Sequence, residues 1–202
     1  MFITFEGIDG SGKTTQIRLL KEYFEKQKTD CSVFREPGGT DISEQIRTLL
    51  LHGGDEMDPV TEMLLFSAAR SQLIAEKVNP LLEKGTVVIL DRFYDSTVAY
   101  QGYGRESATI GVINQLNSIA SHKTVPDLTF YLKISADTAR KRTEENEKDR
   151  MERAGDSFFA KVAAGFDKLA SEESRIQTIN AEQSVELIHA DILKAVQAFS
   201  RS

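Results

Sequence analysis

Eight residues near the start of the chain, Gly7-Ile8-Asp9-Gly10-Ser11-Gly12-Lys13-Thr14, restrict the fold more than any others. They follow the apolar run Phe2-Ile3-Thr4-Phe5 and precede a helical pattern marked by Ile17, Leu20 and Phe24. A Gly-x-x-x-x-Gly-Lys-[Ser/Thr] segment between a strand and a helix is a phosphate-binding loop. Its glycines let successive backbone N–H groups turn inward, and the helix that follows adds the positive end of its dipole. Lys13 offers a point charge to β- and γ-phosphates, and Thr14 a hydroxyl to Mg²⁺. A chance Gly/Ser turn would not bring both flanking elements with it. All eight residues are therefore expected to cradle the phosphates of a nucleoside triphosphate.

Composition narrows the rest. With 202 residues and no repeat, low-complexity tract or Pro/Gly/Ser-rich linker, residues 1–202 are expected to form a single domain. The formal charge of -6 is the wrong sign for a protein whose business is long nucleic acid, although local donors suffice for a small phosphate ligand. No apolar run is long enough for a membrane span, and Met1-Phe2-Ile3 leads straight into the loop, so a cytoplasmic protein without membrane association is expected. Cys31, the single cysteine, is read as a small core residue, and His52, His122 and His189 lack metal-ligand spacing.

Taken in order, Met1 to Glu6 reads as a buried parallel strand and Thr14 to about Gln27 as the helix that returns along the sheet. Asp30 to Arg35 makes a second strand, stopped by Glu36-Pro37-Gly38-Gly39-Thr40 at its carboxyl end, the edge where open α/β sheets bind ligands. Asp41 with Glu44 suggests a capping box for a helix that carries Ile42, Ile46, Leu49 and Leu50 on one face, with Arg47 off that stripe. Asp58-Pro59 opens another helix, on which Phe66 and Arg70 share a face, a spacing that could stack a base and hydrogen-bond its edge. Thr86 to Leu90 is a third strand ending in Asp91-Arg92, a carboxylate suited to holding Mg²⁺ through water beside a guanidinium suited to phosphate. Pro126 to Ile134 and Arg175 to Ile179 complete five strands. Ser135 and Ser184 are placed to cap helices, the last with Val185, Ile188, Ile192, Val196 and Phe199 in register for burial.

In that order, Phe5-Glu6-Gly7 through Gln16, Arg35-Glu36-Pro37-Gly38-Gly39-Thr40, Leu64-Leu65-Phe66-Ser67-Ala68-Ala69-Arg70 and Asp91-Arg92-Phe93 through Ala99-Tyr100-Gln101-Gly102 resemble the successive motifs of the thymidylate kinase family. The resemblance runs from Met1 to the final helix. It implies an α/β P-loop NTPase fold: a five-stranded parallel sheet with helices on both faces and a short helical lid at about 140–155. It also implies ATP with Mg²⁺ as donor, dTMP as acceptor and a homodimer. Residue by residue, Phe66 would stack on thymine, Arg70 would bond its exocyclic oxygen, and Thr97 and Gln101 would address the rest of the edge. Tyr100 would pack under the sugar and leave little room for a 2′-hydroxyl. Arg92 with Arg47 would hold the acceptor phosphate, with Asp9 beside it, and Glu36 would order that end of the site. Lys13, Arg92 and Asp9 are the implied catalytic groups, with Thr14 and Asp91 (through water) toward the metal.

Several positions depart from the family pattern. Where one subclass carries a basic residue inside the phosphate loop, this chain has Gly10, so a lid arginine is implied instead, Arg150 first and Arg142 second. Lys133 and Asn180 stand where many relatives have aspartate, and Thr97 keeps the hydroxyl of a common serine. Two alternatives remain at this level: a kinase for another nucleotide or nucleoside, with Glu36 as base for a hydroxyl acceptor, and a P-loop switch protein. Against the switch, the chain has no Asn/Thr-Lys-x-Asp guanine signature.

Overall fold

A computed structural model describes residues 1–53, 57–143, 150–151 and 155–200. Among them, five strands form one sheet: β1 (Phe2–Glu6), β2 (Cys31–Arg35), β3 (Val87–Asp91), β4 (Leu128–Lys133) and β5 (Ile176–Asn180). Their order is β2-β3-β1-β4-β5 and every pairing is parallel. The three central strands, β3, β1 and β4, read as near-continuous apolar runs because both their faces are covered. Alternate residues divide between two cores: Ile3, Phe5, Val87 and Ile89 on one side, Phe2, Val88 and Leu90 on the other.

On the first side lie α1 (Lys13–Lys26), α8 (Asp156–Glu172) and α9 (Val185–Phe199), which bury Leu20, Phe166 and Ile192. The second side takes Leu73 at the end of α3 (Pro59–Leu73) and the π-helical turn Ile74–Val78 that leads to α4 (Asn79–Glu83). The register aligns Phe5 with Asp91 and Arg35 with Asp91. The ends of three strands thus meet on the edge that carries the phosphate loop.

Helix α2 (Asp41–His52) is capped by Thr40, whose Oγ1 accepts from the Ser43 N–H, and Glu44 reaches back to the Gly39 N–H instead of boxing with Asp41. Of its apolar stripe only Leu50 is buried, while Ile42 and Leu49 are more than half exposed. In α9, Val185 and Phe199 at the two ends are likewise exposed. Cys31 is half-buried, and burial pushes its thiol up to about 11. Asp58, Ser135 and Ser184 do cap the helices they precede. Two helices that carry no motif, α6 (Ile110–Ala120) and α8, pack behind segments that line the site. No helix among the described residues is long and apolar enough to cross a membrane.

Candidate active site

The phosphate loop leaves β1 at Gly7 and enters α1 at Lys13. Gly7, Gly10 and Gly12 have φ of 136°, 80° and 92°, a region that disfavours residues with a Cβ. Gly10 is further constrained because an added Cβ would lie 2.9 Å from the Ala139 carbonyl oxygen and 3.1 Å from the Thr143 methyl. Helix α7 (Ala136–Thr143) therefore sits where a side chain inside the loop would go. That helix brings its own cation, since Arg142 donates to the carbonyls of Gly10 and Ala181, both at 3.2 Å. Lys13 Nζ, buried, donates to Gly7 O and Ile8 O at 3.0 and 3.2 Å. Burial and the neighbouring Arg92 charge pull its ammonium below the ordinary lysine value; an incoming polyphosphate reverses that pull.

Thr14, Asp91, Arg92 and Arg142 open on one cleft with the loop. Asp91 Oδ1 is buried with no protein partner, and the Thr14 side chain is exposed to the same cleft. An oxygen-only pair of this kind suits a hard divalent cation that keeps several waters.

Beside the cleft a pocket of about 130 Å³ is lined by Glu36, Arg47, Phe66, Arg70, Arg92, Thr97, Tyr100 and Gln101, all eight of the residues expected on the acceptor side. Asp9, Glu36, Arg47 and Arg92 line both spaces, so cleft and pocket join there.

The walls of the pocket are held by buried charge. Arg70 donates Nε to Glu36 Oε2 at 2.8 Å, Nη2 to Thr97 Oγ1 at 3.0 Å and Nη1 to Asn117 Oδ1 of α6 at 3.1 Å. Burial pushes the Glu36 carboxyl up, with Arg70 pulling against it, and Glu36 Oε1 is left unpartnered toward the site. Glu36 joins Pro37 through a cis peptide, and the Pro37 carbonyl accepts from Arg47 Nη1 at 2.9 Å. Half-buried Phe66 stands one helical turn before Arg70.

Arg92 has φ of 69°, a left-handed conformation that costs a non-glycine residue about 1 kcal/mol or more. Glu6 offsets it: Oε1 accepts from the Phe93 N–H at 2.8 Å and Oε2 accepts from Ser96 Oγ. Burial, reinforced by the Asp95 charge, pushes the Glu6 carboxyl up to about 8. So held, Arg92 donates to Asp9 Oδ1 at 2.7 Å and lies 5.1 Å over the Tyr100 ring. Burial opposes charge on Asp9, but Arg92 and Lys13 outweigh it and lower its carboxyl. The short helix α5 (Tyr94–Thr97) that follows is pinned by a bidentate Arg175–Asp95 pair at 2.7 and 2.8 Å. It runs into a π-helical segment, Val98–Gly104, which carries Tyr100 and Gln101. Wide turns of this kind gather at functional sites.

The two arginines expected in a lid part company, and most of the expected lid, 144–149 and 152–154, lies outside the described residues. Arg142 lines the phosphate cleft. Arg150 is buried against the acceptor side, donating Nε to Leu50 O at 3.0 Å and pairing with Glu62 of α3. Glu144, Glu145 and Glu147 lie outside the described residues. Lys133 pairs with Asp167, and Asn180 Oδ1 accepts the Glu182 N–H, both on the surface. Glu62 and Asn117 lie outside the motifs and Glu6 inside one without a role, although Glu6 at a strand end and Glu62 within an apolar helical stretch are signals of buried carboxylates that need partners.

A parallel sheet with a phosphate loop at its carboxyl edge, opening sideways into a second pocket, defines a P-loop nucleotide-binding protein built for two substrates. A family model described as "Thymidylate kinase" matches residues 5–192. Curated thymidylate kinases of Chlorobium luteolum and a Thermoanaerobacter species are similar along nearly their whole length. The first is 46% identical over 207 residues, covering 97% of this chain and 96% of that one. The second is 44% identical over 199 residues, covering 98% of each. A crystal structure of thymidylate kinase from Ehrlichia chaffeensis superposes with a TM-score of 0.80 at 36% identity, covering 98% of both chains. The chain belongs to the thymidylate kinase family.

Proposed function

We propose that this chain is an ATP-dependent nucleoside monophosphate kinase that converts dTMP to dTDP on the route to dTTP, working as one domain over residues 1–202. The observation that carries it is the junction at Asp9, Glu36, Arg47 and Arg92, where a phosphate cleft meets a base-sized pocket. In-line transfer needs two phosphates held end to end and their spreading charge neutralised, with little covalent chemistry from the protein. A dTMP phosphate oxygen forms the new bond to the γ-phosphorus as the bridge to the β-phosphate breaks. The acceptor is already an anion at neutral pH, so no general base is required.

Lys13 and the loop amides of Gly7 to Thr14 hold the donor phosphates; Arg92 and Arg47 hold the acceptor phosphate, and Asp9 fixes Arg92 between them. Phe66 stacks on thymine, Arg70 and Thr97 address its edge with Gln101, and Tyr100 underlies the sugar. Thr14 and, through water, Asp91 would hold Mg²⁺, which would supply charge neutralisation on the donor phosphates. Arg142, already at the loop, is the better placed of the two lid arginines to face the transferred group.

A homodimer fits the apolar residues that neighbouring helices expose, Leu49 on α2, Leu64 on α3, and Val112 and Ile119 on α6. A cytoplasmic setting fits the substrates. The test is product stoichiometry. Mg-ATP and dTMP should give dTDP and ADP in equal amounts; ADP release at the same rate with no acceptor would overturn the kinase, and selective turnover of thymidine would make it a nucleoside kinase.

A further inference from the structure

Glu62 is a carboxylate that the chemistry above does not use, and at 1% exposure it is among the most deeply buried charged groups. It sits on α3 one turn before Phe66. Its Oε1 accepts from Gln101 Nε2 at 2.9 Å and lies 3.5 Å from Arg105 Nε; its Oε2 pairs with Arg150 Nη2. Arg150, 6% exposed, is tied in turn to the Leu50 carbonyl. Met151, next to it, closes the wall of the base pocket, its sulfur accepting from Arg105. One anion thus collects an amide and two guanidiniums from two separate stretches of chain, Gln101 to Arg105 and the turn at Arg150.

A carboxylate can only accept hydrogen bonds, whereas a primary amide has a donor end and an acceptor end. Facing Glu62, the Gln101 side chain must present its NH₂ there, which turns its carbonyl oxygen toward the pocket that Gln101 lines. Arg150 occupies the other carboxylate oxygen, leaving Oε1 to address Gln101. We propose that Glu62 is a positioning residue for base selection: it locks the Gln101 amide with its oxygen toward the pocket, so that the site takes a pyrimidine whose ring nitrogen carries a hydrogen and rejects one whose ring nitrogen is bare. Thymine and uracil are of the first kind and cytosine of the second. With cytosine, two acceptors face each other in a buried site and neither is satisfied. This inference rests on the dTMP assignment and adds the group that sets the polarity of its base reader.

The experiment compares kcat/KM for dTMP, dUMP and dCMP, with Mg-ATP as donor, in the wild-type chain and in Glu62→Gln. The substitution keeps the shape but can offer Gln101 either an oxygen or an NH₂, so the amide gains its flipped orientation. The dTMP-to-dCMP preference should fall about tenfold or more, chiefly through KM. The dTMP-to-dUMP ratio, which turns on a methyl group and not on the ring nitrogen, should stay within about twofold. A folded variant with an unmoved dTMP-to-dCMP ratio overturns the assignment. Should Glu62→Gln not fold, Glu62→Gln combined with Arg150→Met removes one stranded guanidinium and is read in the same way, with Gln101→Met as the reference lacking an amide. If neither Glu62 variant folds, the same ratio in Arg150→Met decides: freeing Oε2 loosens the lock and lowers it, and a ratio equal to wild type overturns the assignment. Failure of the wild-type chain to phosphorylate dTMP sinks the function itself; dTMP turnover with an unmoved ratio sinks only the role of Glu62.

Discussion

The phosphate cleft and the base pocket share four residues and are built in opposite ways. The cleft is built around one contiguous loop, whose backbone and Lys13 supply donors, with Arg142 and the ends of β2 and β3 beside it. The pocket is assembled from the turn after β2, from α2 and α3, from the segment after β3, and from Met151. Its walls are fixed by buried pairs between distant stretches: Glu36 with Arg70, Glu62 with Gln101 and Arg150, Glu6 with Phe93 and Ser96. Capturing an anion needs local backbone geometry, which a short motif encodes. Reading the edge of a flat base needs side chains that cannot rotate, and inside a protein that rigidity comes from charges that must be paired.

The contrast can be broken by cutting each region at its centre. Arg70→Met strands Glu36, whose side chain is 4% exposed, and should destabilise the fold by about 3–5 kcal/mol as well as abolish dTMP binding; urea unfolding and calorimetry measure the two. Lys13→Met should instead leave the urea midpoint almost unchanged while turnover drops by about 10²–10³-fold. Equal stability losses in the two variants would erase the distinction. At the junction, Arg92→Ala should cost about 10²-fold or more in kcat, and near-normal turnover there would remove Arg92 from phosphate transfer.

Next in size is the pair of lid arginines. Arg142→Ala should lower kcat by about tenfold or more, the worth of one charge-assisted hydrogen bond. Arg150→Ala should act mainly on KM for dTMP and on stability, because Arg150 faces Glu62. The reverse pattern would mean that Arg150 swings onto the phosphates during turnover.

A separate effect, on stability alone, is a slope with pH. Glu6 has its carboxyl raised from 4.5 to about 8, so between those values the folded state holds a proton that the unfolded chain has released. Folding stability then falls as pH rises through that window. Glu6→Gln lacks this titration, and its urea midpoint should gain on wild type steadily from pH 5 to 8. A constant gap across that range would show that Glu6 titrates as an ordinary carboxylate in the folded protein.

This contrast also governs what the sequence discloses. The strand-loop-helix at Gly7–Thr14 and the strand ending in Asp91-Arg92 are legible because the chemistry and its support lie within a few residues. The face of α2 is not: a period places Ile42 and Leu49 on one side of a helix without saying whether anything covers that side, and here both are exposed. Arg150 looks like a phosphate ligand in a charged lid until its partner Glu62, on another helix, is known. The left-handed Arg92 is invisible for the same reason, since what permits it is a carboxylate at the end of β1.

The central claim is that the pocket beside the phosphate loop reads a thymine nucleotide. It is tested most directly by the rate of ADP release from Mg-ATP in parallel with dTMP, dUMP, UMP, CMP, AMP, thymidine or no acceptor. The account predicts that dTMP gives by far the highest kcat/KM and that release without acceptor is negligible. Equal rates across the monophosphates, or with none added, would contradict it.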